Sequence, residues 1–221
     1  MSRCYPARAK NGVRWVSGRA FGPSRGTSMF EMLVATFLLG LIMMTIHTIL
    51  MYGINYYRTQ SATIDVQQSA LIAMSALTNE LVESNPGSML TDMNPPTIGI
   101  VFGSPRDQTG QVNYSDTKLQ WSKFVCYYLD VINDVPCLMR TERPLTDFPG
   151  TGNGAFPPPI STAWDAEYFR STAGNKARIV ARNISRLEST QSFPLPILIE
   201  ASVYDRYQFK VELETKVTPK N

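Results

Sequence analysis

Acid–base and nucleophilic chemistry draws on a histidine, a carboxylate pair or an activated thiol, and this chain has one histidine, His47, inside its longest apolar run. With no histidine elsewhere, Ser-His-Asp and Cys-His arrangements are ruled out for the rest of the chain. Glu212 and Glu214 share one side of an alternating segment, a pattern that a solvated strand face explains. The three cysteines, Cys4, Cys126 and Cys137, give two sulfurs beyond the N-terminal stretch and no nearby histidine, too few ligands for zinc. Gly150-Thr151-Gly152-Asn153-Gly154 lacks the Lys-Ser/Thr of a phosphate loop, and Pro157-Pro158-Pro159 reads as a stiff connection. The residue types therefore point away from an enzyme, and no cofactor or metal is expected. The remaining polar residue of interest is Glu31, a carboxylate at the edge of the apolar run. Such a group is costly to bury unpaired and is favoured in the first turn of a helix.

The element that positions Glu31 is the run itself. From Met32 to Leu50 the chain reads MLVATFLLGLIMMTIHTIL, extended by Met51 and Tyr52. About twenty residues at a rise of 1.5 Å span the hydrocarbon core of a bilayer, so 30–52 is read as a transmembrane helix. No small-residue cleavage pattern follows it, which marks an anchor that stays in place. The net charge of +3 conceals an asymmetry. Arg3, Arg8, Lys10, Arg14, Arg19 and Arg25 precede the run with no acid among them, leaving fifteen of the 21 basic residues against all 18 acidic ones. A basic arm alone would suit nucleic acid; abutting an apolar run, it reads as the cytoplasmic flank of an N-in span.

Helical spacing continues beyond the span. Ala70, Met74, Leu77 and Leu81 recur at four, three and four residues, with Asp65, Gln67, Gln68, Asn79 and Glu83 on the other side, until Asn85-Pro86-Gly87. A helix over 27–84 would reach roughly 87 Å, apolar in its first half and amphipathic in its second. Residues 85–221 read as a β-rich head covered by that second half. Its expected strands are Thr97–Phe102, a hairpin of Lys118–Leu129 and Pro136–Glu142 around Asn133-Asp134, a strand at Arg178–Leu187 ended by Pro194–Pro196, and a last hairpin. In that last hairpin Ile197, Ile199, Ala201 and Val203 alternate with Leu198, Glu200, Ser202 and Tyr204, Phe209, Val211 and Leu213 alternate with polar residues, and Val203 should oppose Phe209. The irregular stretches are 86–115, apart from its one strand, and 143–176. The fold class is thus α+β: a long N-terminal helix packed on an antiparallel sheet.

The residues Gly26-Thr27-Ser28-Met29-Phe30-Glu31, placed between a basic leader and an apolar helix, resemble the type III signal of the type IV pilin family. The resemblance implies cleavage by a prepilin peptidase between Gly26 and Thr27, removal of leader 1–26 and methylation of the new N-terminus. Thr27 then occupies the position that the family usually gives to phenylalanine. A start at Val13 or Val16 would shorten the leader without altering the signal. Glu31 becomes the fifth mature residue, the family's assembly glutamate, where it would pair with the N-terminal ammonium of a neighbouring subunit. Val125-Cys126-Tyr127-Tyr128-Leu129-Asp130 followed by Cys137-Leu138-Met139-Arg140 resembles the hairpin of PilW-like minor pilins and J-type minor pseudopilins.

The resemblance implies a subunit that helps to initiate or cap a type IV pilus or a type II secretion pseudopilus. Its place would be the bacterial inner membrane, with the head periplasmic, and then the filament tip. Its partners would be other major and minor pilins or pseudopilins, the prepilin peptidase, the inner-membrane assembly platform and membrane lipid. No nucleic acid is expected unless the filament serves DNA uptake. In the periplasm, Cys126 and Cys137 are expected to form a disulfide across a bulge or longer loop. The alternative is a single-pass, membrane-anchored binding or adhesion protein that does not polymerise, gripping its ligand through Trp121, Trp164 or loops.

Overall fold

Apolar side chains at helical spacing, with proline absent, allow one helix to run uninterrupted from Met29 to Val82 (α1). The computed structural model describes residues 28–93, 97–107, 109–112, 114–115, 118–149, 157–203 and 209–220. Gly26 and Thr27, the Gly150–Gly154 cluster and the tip of the last hairpin lie outside them. The chain divides into two compact units, the first ending at Tyr52 and the second beginning at Gly53. In the first, every described side chain is exposed, and α1 is there long and apolar enough to cross a membrane. Thr36, Thr45 and Thr48 donate their hydroxyls to the carbonyls of Met32, Leu41 and Met44 at 3.0, 2.8 and 2.8 Å. Their polarity is thereby satisfied within the helix, as hydrocarbon requires.

In the second unit α1 changes character. Val66, Ala70, Ala73, Leu77 and Leu81 are buried along one stripe. The stripe is the expected one, with Met74 on its flank and Val66 and Ala73 added. After α1 come a 3-10 turn at Pro86–Ser88, capped by Asn85 accepting from the Gly87 amide at 2.8 Å, and the strands β1 (Met89–Asp92) and β2 (Gly99–Ser104). Next are the short strands β3 (Tyr114–Ser115) and β4 (Lys118–Leu119), then β5 (Lys123–Ile132) and β6 (Val135–Pro144). Helix α2 (Ala166–Thr172) precedes β7 (Arg178–Arg182), β8 (Ile184–Ser189), β9 (Leu195–Val203) and β10 (Phe209–Val217).

All pairings among these strands are antiparallel. One sheet has the order β1-β2-β5-β6-β7, a second β10-β9-β8, and β3 pairs with β4. Asn133 and Asp134 take φ of 51° and 62°, the left-handed pair of a two-residue hairpin turn, and fix the register Ile132↔Val135. The expected strand at 178–187 is divided: Asn183 (φ 62°) turns the chain so that β7 joins the first sheet and β8 the second. The last hairpin has the expected register, Phe209↔Val203.

The first sheet is buried on both faces, which is why β5 reads as an apolar run rather than an alternation. On one face Phe102, Val125, Tyr127 and Leu138 join the α1 stripe and Ile197, Ile199 and Ala201 of the second sheet in a single core. Small Ala70 and Ala73 on the helix share this core with large rings on the sheet, where Phe102 and Tyr127 stack at 6.1 Å. On the other face Val101, Phe124, Cys126 and Tyr128 pack with Phe148, Ala166 and Phe169. Helix α2 was not expected. Asp165 caps it by accepting from the Tyr168 amide at 2.8 Å, and Ala166 and Phe169 seat it on the sheet. Gly99 sets how closely it sits, since a Cβ there would lie 2.7 Å from that of Ala166 and 2.6 Å from the Tyr127 carbonyl oxygen. Gly99→Ala is accordingly expected to destabilise the head by about 1–3 kcal/mol, as overpacking does, measured as a lowered urea midpoint of tryptophan fluorescence.

Candidate functional site

Among the described residues, α1 takes part in two clusters of polar and charged side chains. The first is the start of α1. The Ser28 amide donates to Glu31 Oε2 at 3.1 Å, and the Glu31 amide donates to Ser28 Oγ at 3.2 Å. This reciprocal S-x-x-E cap satisfies two of the amides that a helix leaves unpaired at its N-terminus, and it places the carboxylate by the positive end of the dipole. The Glu31 carboxylate therefore has a local partner. The pattern Ser28-Met29-Phe30-Glu31 was present to be read, but the apolar run beside it suggested only a dipole effect. His47 is exposed like its neighbours.

The second place joins the end of α1 to the first sheet. Arg140 on β6 has only 8% of its side chain exposed, and its Nε lies 3.1 Å from Glu80 Oε1 on α1. Its Nη1 lies 3.0 Å from Glu142 Oε2, which Lys123 Nζ on β5 also reaches at 2.8 Å. Lys123 donates a further bond to the Asp107 carbonyl at 3.0 Å. One turn along the helix, Glu83 takes both Nε and Nη2 of Arg106, while Arg106 Nη1 donates to the Gly110 carbonyl at 2.7 Å. Burial opposes the charge on Arg140, but Glu80, with help from Tyr127 and Glu142, more than offsets it and raises the pKa. For Glu142, burial pulls the carboxyl up, and the bonds and charges of Lys123 and Arg140 overcome that and hold it below the usual range. Burial also drives the Tyr127 hydroxyl strongly upward, so it stays protonated and donates to the Ala76 carbonyl of α1 at 3.4 Å.

The cysteine expectation is corrected. Cys126 and Cys137 are both free and buried. The turn at Asn133-Asp134 sets Cys126 opposite Thr141 and Cys137 opposite Asp130, so the thiols stand four residues apart along the hairpin, with no bulge between β5 and β6 to bring them closer. Four residues of strand separate them by about 13 Å, beyond disulfide reach. Burial raises both thiol pKa values, Cys126 strongly. Trp121 is 2% exposed, within the core and out of reach of a ligand. Trp164 is held in an aromatic cluster 4.8 Å from Phe148 and 5.8 Å from Phe124.

No family model, curated protein or solved structure matches the chain.

Sequence reasoning missed the Arg140–Glu80–Glu142–Lys123 cluster, because its members come from three elements and share no spacing. A buried charge left without its partner is strongly destabilising, whereas replacing both members with apolar side chains is far less so. Glu80→Leu removes one of the two carboxylates that hold Arg140 and should cost about 1–3 kcal/mol, and the double variant E80L/R140M should recover part of it. Chemical denaturation of the four proteins of this cycle measures the difference.

Proposed function

We propose that this chain is a minor pilin or minor pseudopilin, a structural subunit that helps to start or cap a type IV pilus or a type II secretion pseudopilus. The observation that carries the reading is the junction at the start of α1. A basic stretch ends at Gly26, a reciprocal Ser28–Glu31 cap follows at once, and then comes an apolar helix whose described side chains are exposed up to Tyr52. Cleavage between Gly26 and Thr27 would leave that cap intact, since the Ser28 nitrogen remains a peptide amide bonded to Thr27. The mature chain would thus begin one residue before its helix cap. Its anchor would sit in the bacterial inner membrane, N-terminus inward, with the head in the periplasm until assembly carries it to the filament tip.

Within this reading Glu31 has two successive partners. In the free subunit it accepts from the Ser28 amide. In a filament its charge would neutralise the N-terminal ammonium of an adjacent subunit, which offsets the cost of removing both from water. The major and minor filament subunits, the prepilin peptidase, the assembly platform and membrane lipid are the partners that follow. A membrane-anchored binding protein would share the anchor, but it would need neither processing at Gly26 nor a charge at Glu31.

Intact-mass and N-terminal peptide spectrometry of the membrane-extracted protein should give Thr27 as the first residue, whereas a mature chain beginning upstream of Gly26 would contradict the processing step. Glu31→Gln keeps the helix cap, because glutamine serves at that position too, but removes the charge. The variant should retain its membrane level and lose filament or secretion function. Full function in E31Q would remove the charge-pairing role.

A further inference from the structure

Beside the Arg140 cluster lies an open cleft of about 450 Å³, bordered by the end of α1, by Arg106, Thr109 and Gly110, by the strands β5, β6 and β7, and by Lys176. Five basic side chains line it, against three acidic ones, Glu80, Glu83 and Glu142. The acids are already committed. Glu80 and Glu142 hold Arg140, Glu142 also holds Lys123, and Glu83 holds Arg106. The two remaining cations, Lys176 and Arg178, are exposed, and among the described residues neither enters an ion pair or donates a side-chain hydrogen bond.

The backbone register makes this arrangement costly. Arg178 on β7 stands directly opposite Arg140 on β6. Like charges in that position destabilise a sheet, and here the two arginines face the same cleft. Lys176, two residues before Arg178, adds a third positive charge at the rim. Arg140 cannot turn away, because Glu80 and Glu142 fix its guanidinium. The result is a preorganised floor with free donors above it. Planar guanidinium groups match the two oxygens of a carboxylate better than a monatomic anion.

We propose that this cleft binds a carboxylate, with Arg178 and Lys176 holding the incoming group over the floor fixed by Arg140. The ligand is a small free polycarboxylate or an acidic side chain offered by a neighbouring protein, and both present the same oxygens. The site does not depend on whether the chain assembles into a filament.

The test is isothermal titration of the full chain in neutral detergent at low ionic strength, where charge contacts are least screened. One arm uses citrate and the other acetyl-triglutamate amide. At least one should bind, and K176Q/R178Q should weaken it by about tenfold or more, the loss of one charge-assisted contact. The control K118Q/R182Q removes the same charge away from the cleft and should leave binding unchanged. Because Lys176 and Arg178 are exposed and Arg178 stands opposite Arg140, the thermal midpoint of K176Q/R178Q should not fall below that of the parent, which separates lost binding from lost folding. Citrate alone binding assigns a free polycarboxylate, and the peptide alone assigns a protein carboxylate. Absence of binding in both arms, or equal weakening by the two double variants, would overturn the proposal.

Discussion

The second unit depends on one seam: the stripe from Val66 to Leu81 on α1, laid against residues from two separate sheets. Phe102, Tyr127 and Leu138 come from the first sheet and Ile197, Ile199 and Ala201 from the second, and all share one core with the helix. Each fully buried leucine of the stripe contributes about 1.5–3 kcal/mol by burial, so Leu77 and Leu81 alone represent a large share of the stability of an ordinary domain. The ion pairs beside the seam are directional where the apolar stripe is not. Glu80–Arg140 and Glu83–Arg106 fix the rotation of α1 about its axis, because a helix turned by one residue would carry both carboxylates off by about 100°. The carbonyl of Val82 then accepts from the Lys220 amide at 3.0 Å, tying the end of the helix to the segment after β10.

One helix carries two patterns of side chains. No break separates the residues before Tyr52 from those after Gly53; α1 is continuous, and only its side chains change. Before the boundary they are mostly apolar, with Glu31 in the helix cap, His47 exposed and threonines bonded back to their own helix. After it, apolar residues keep to the stripe and polar ones fill the rest. A helix can carry both patterns because its backbone hydrogen bonds are internal whatever surrounds its side chains.

Much of this was legible from residue order because the signals were local. The apolar run, the stripe at 70–81, the turn at Asn133-Asp134 and the Val203–Phe209 register all rest on spacing over a few residues. The parts that were not legible rest on tertiary context. β1 has four residues and no clear alternation, so only its pairing with β2 defines it. α2 has seven residues, too few to form unaided, and depends on the burial of Ala166 and Phe169. The expected strand at 178–187 carried no apolar warning of its division, and Asn183 was its only marker. The cysteines invited a bridge through the compartment that the resemblance implies, but the register of the turn between them forbids it. The Arg140 cluster joins residues 60 positions apart, so no motif announces it.

The central claim is that α1 after Gly53 belongs to the cooperative core of the head rather than lying on it as a separable stem. Amide hydrogen exchange of the full chain in detergent, followed by peptide-resolved mass spectrometry, tests this most directly. Peptides covering 66–81 should exchange only with global unfolding, at the rate of those from the paired core of β5 and β6, and should accelerate with them as urea is added. Exchange of 66–81 through local opening, while β5 and β6 remain protected, would contradict the account.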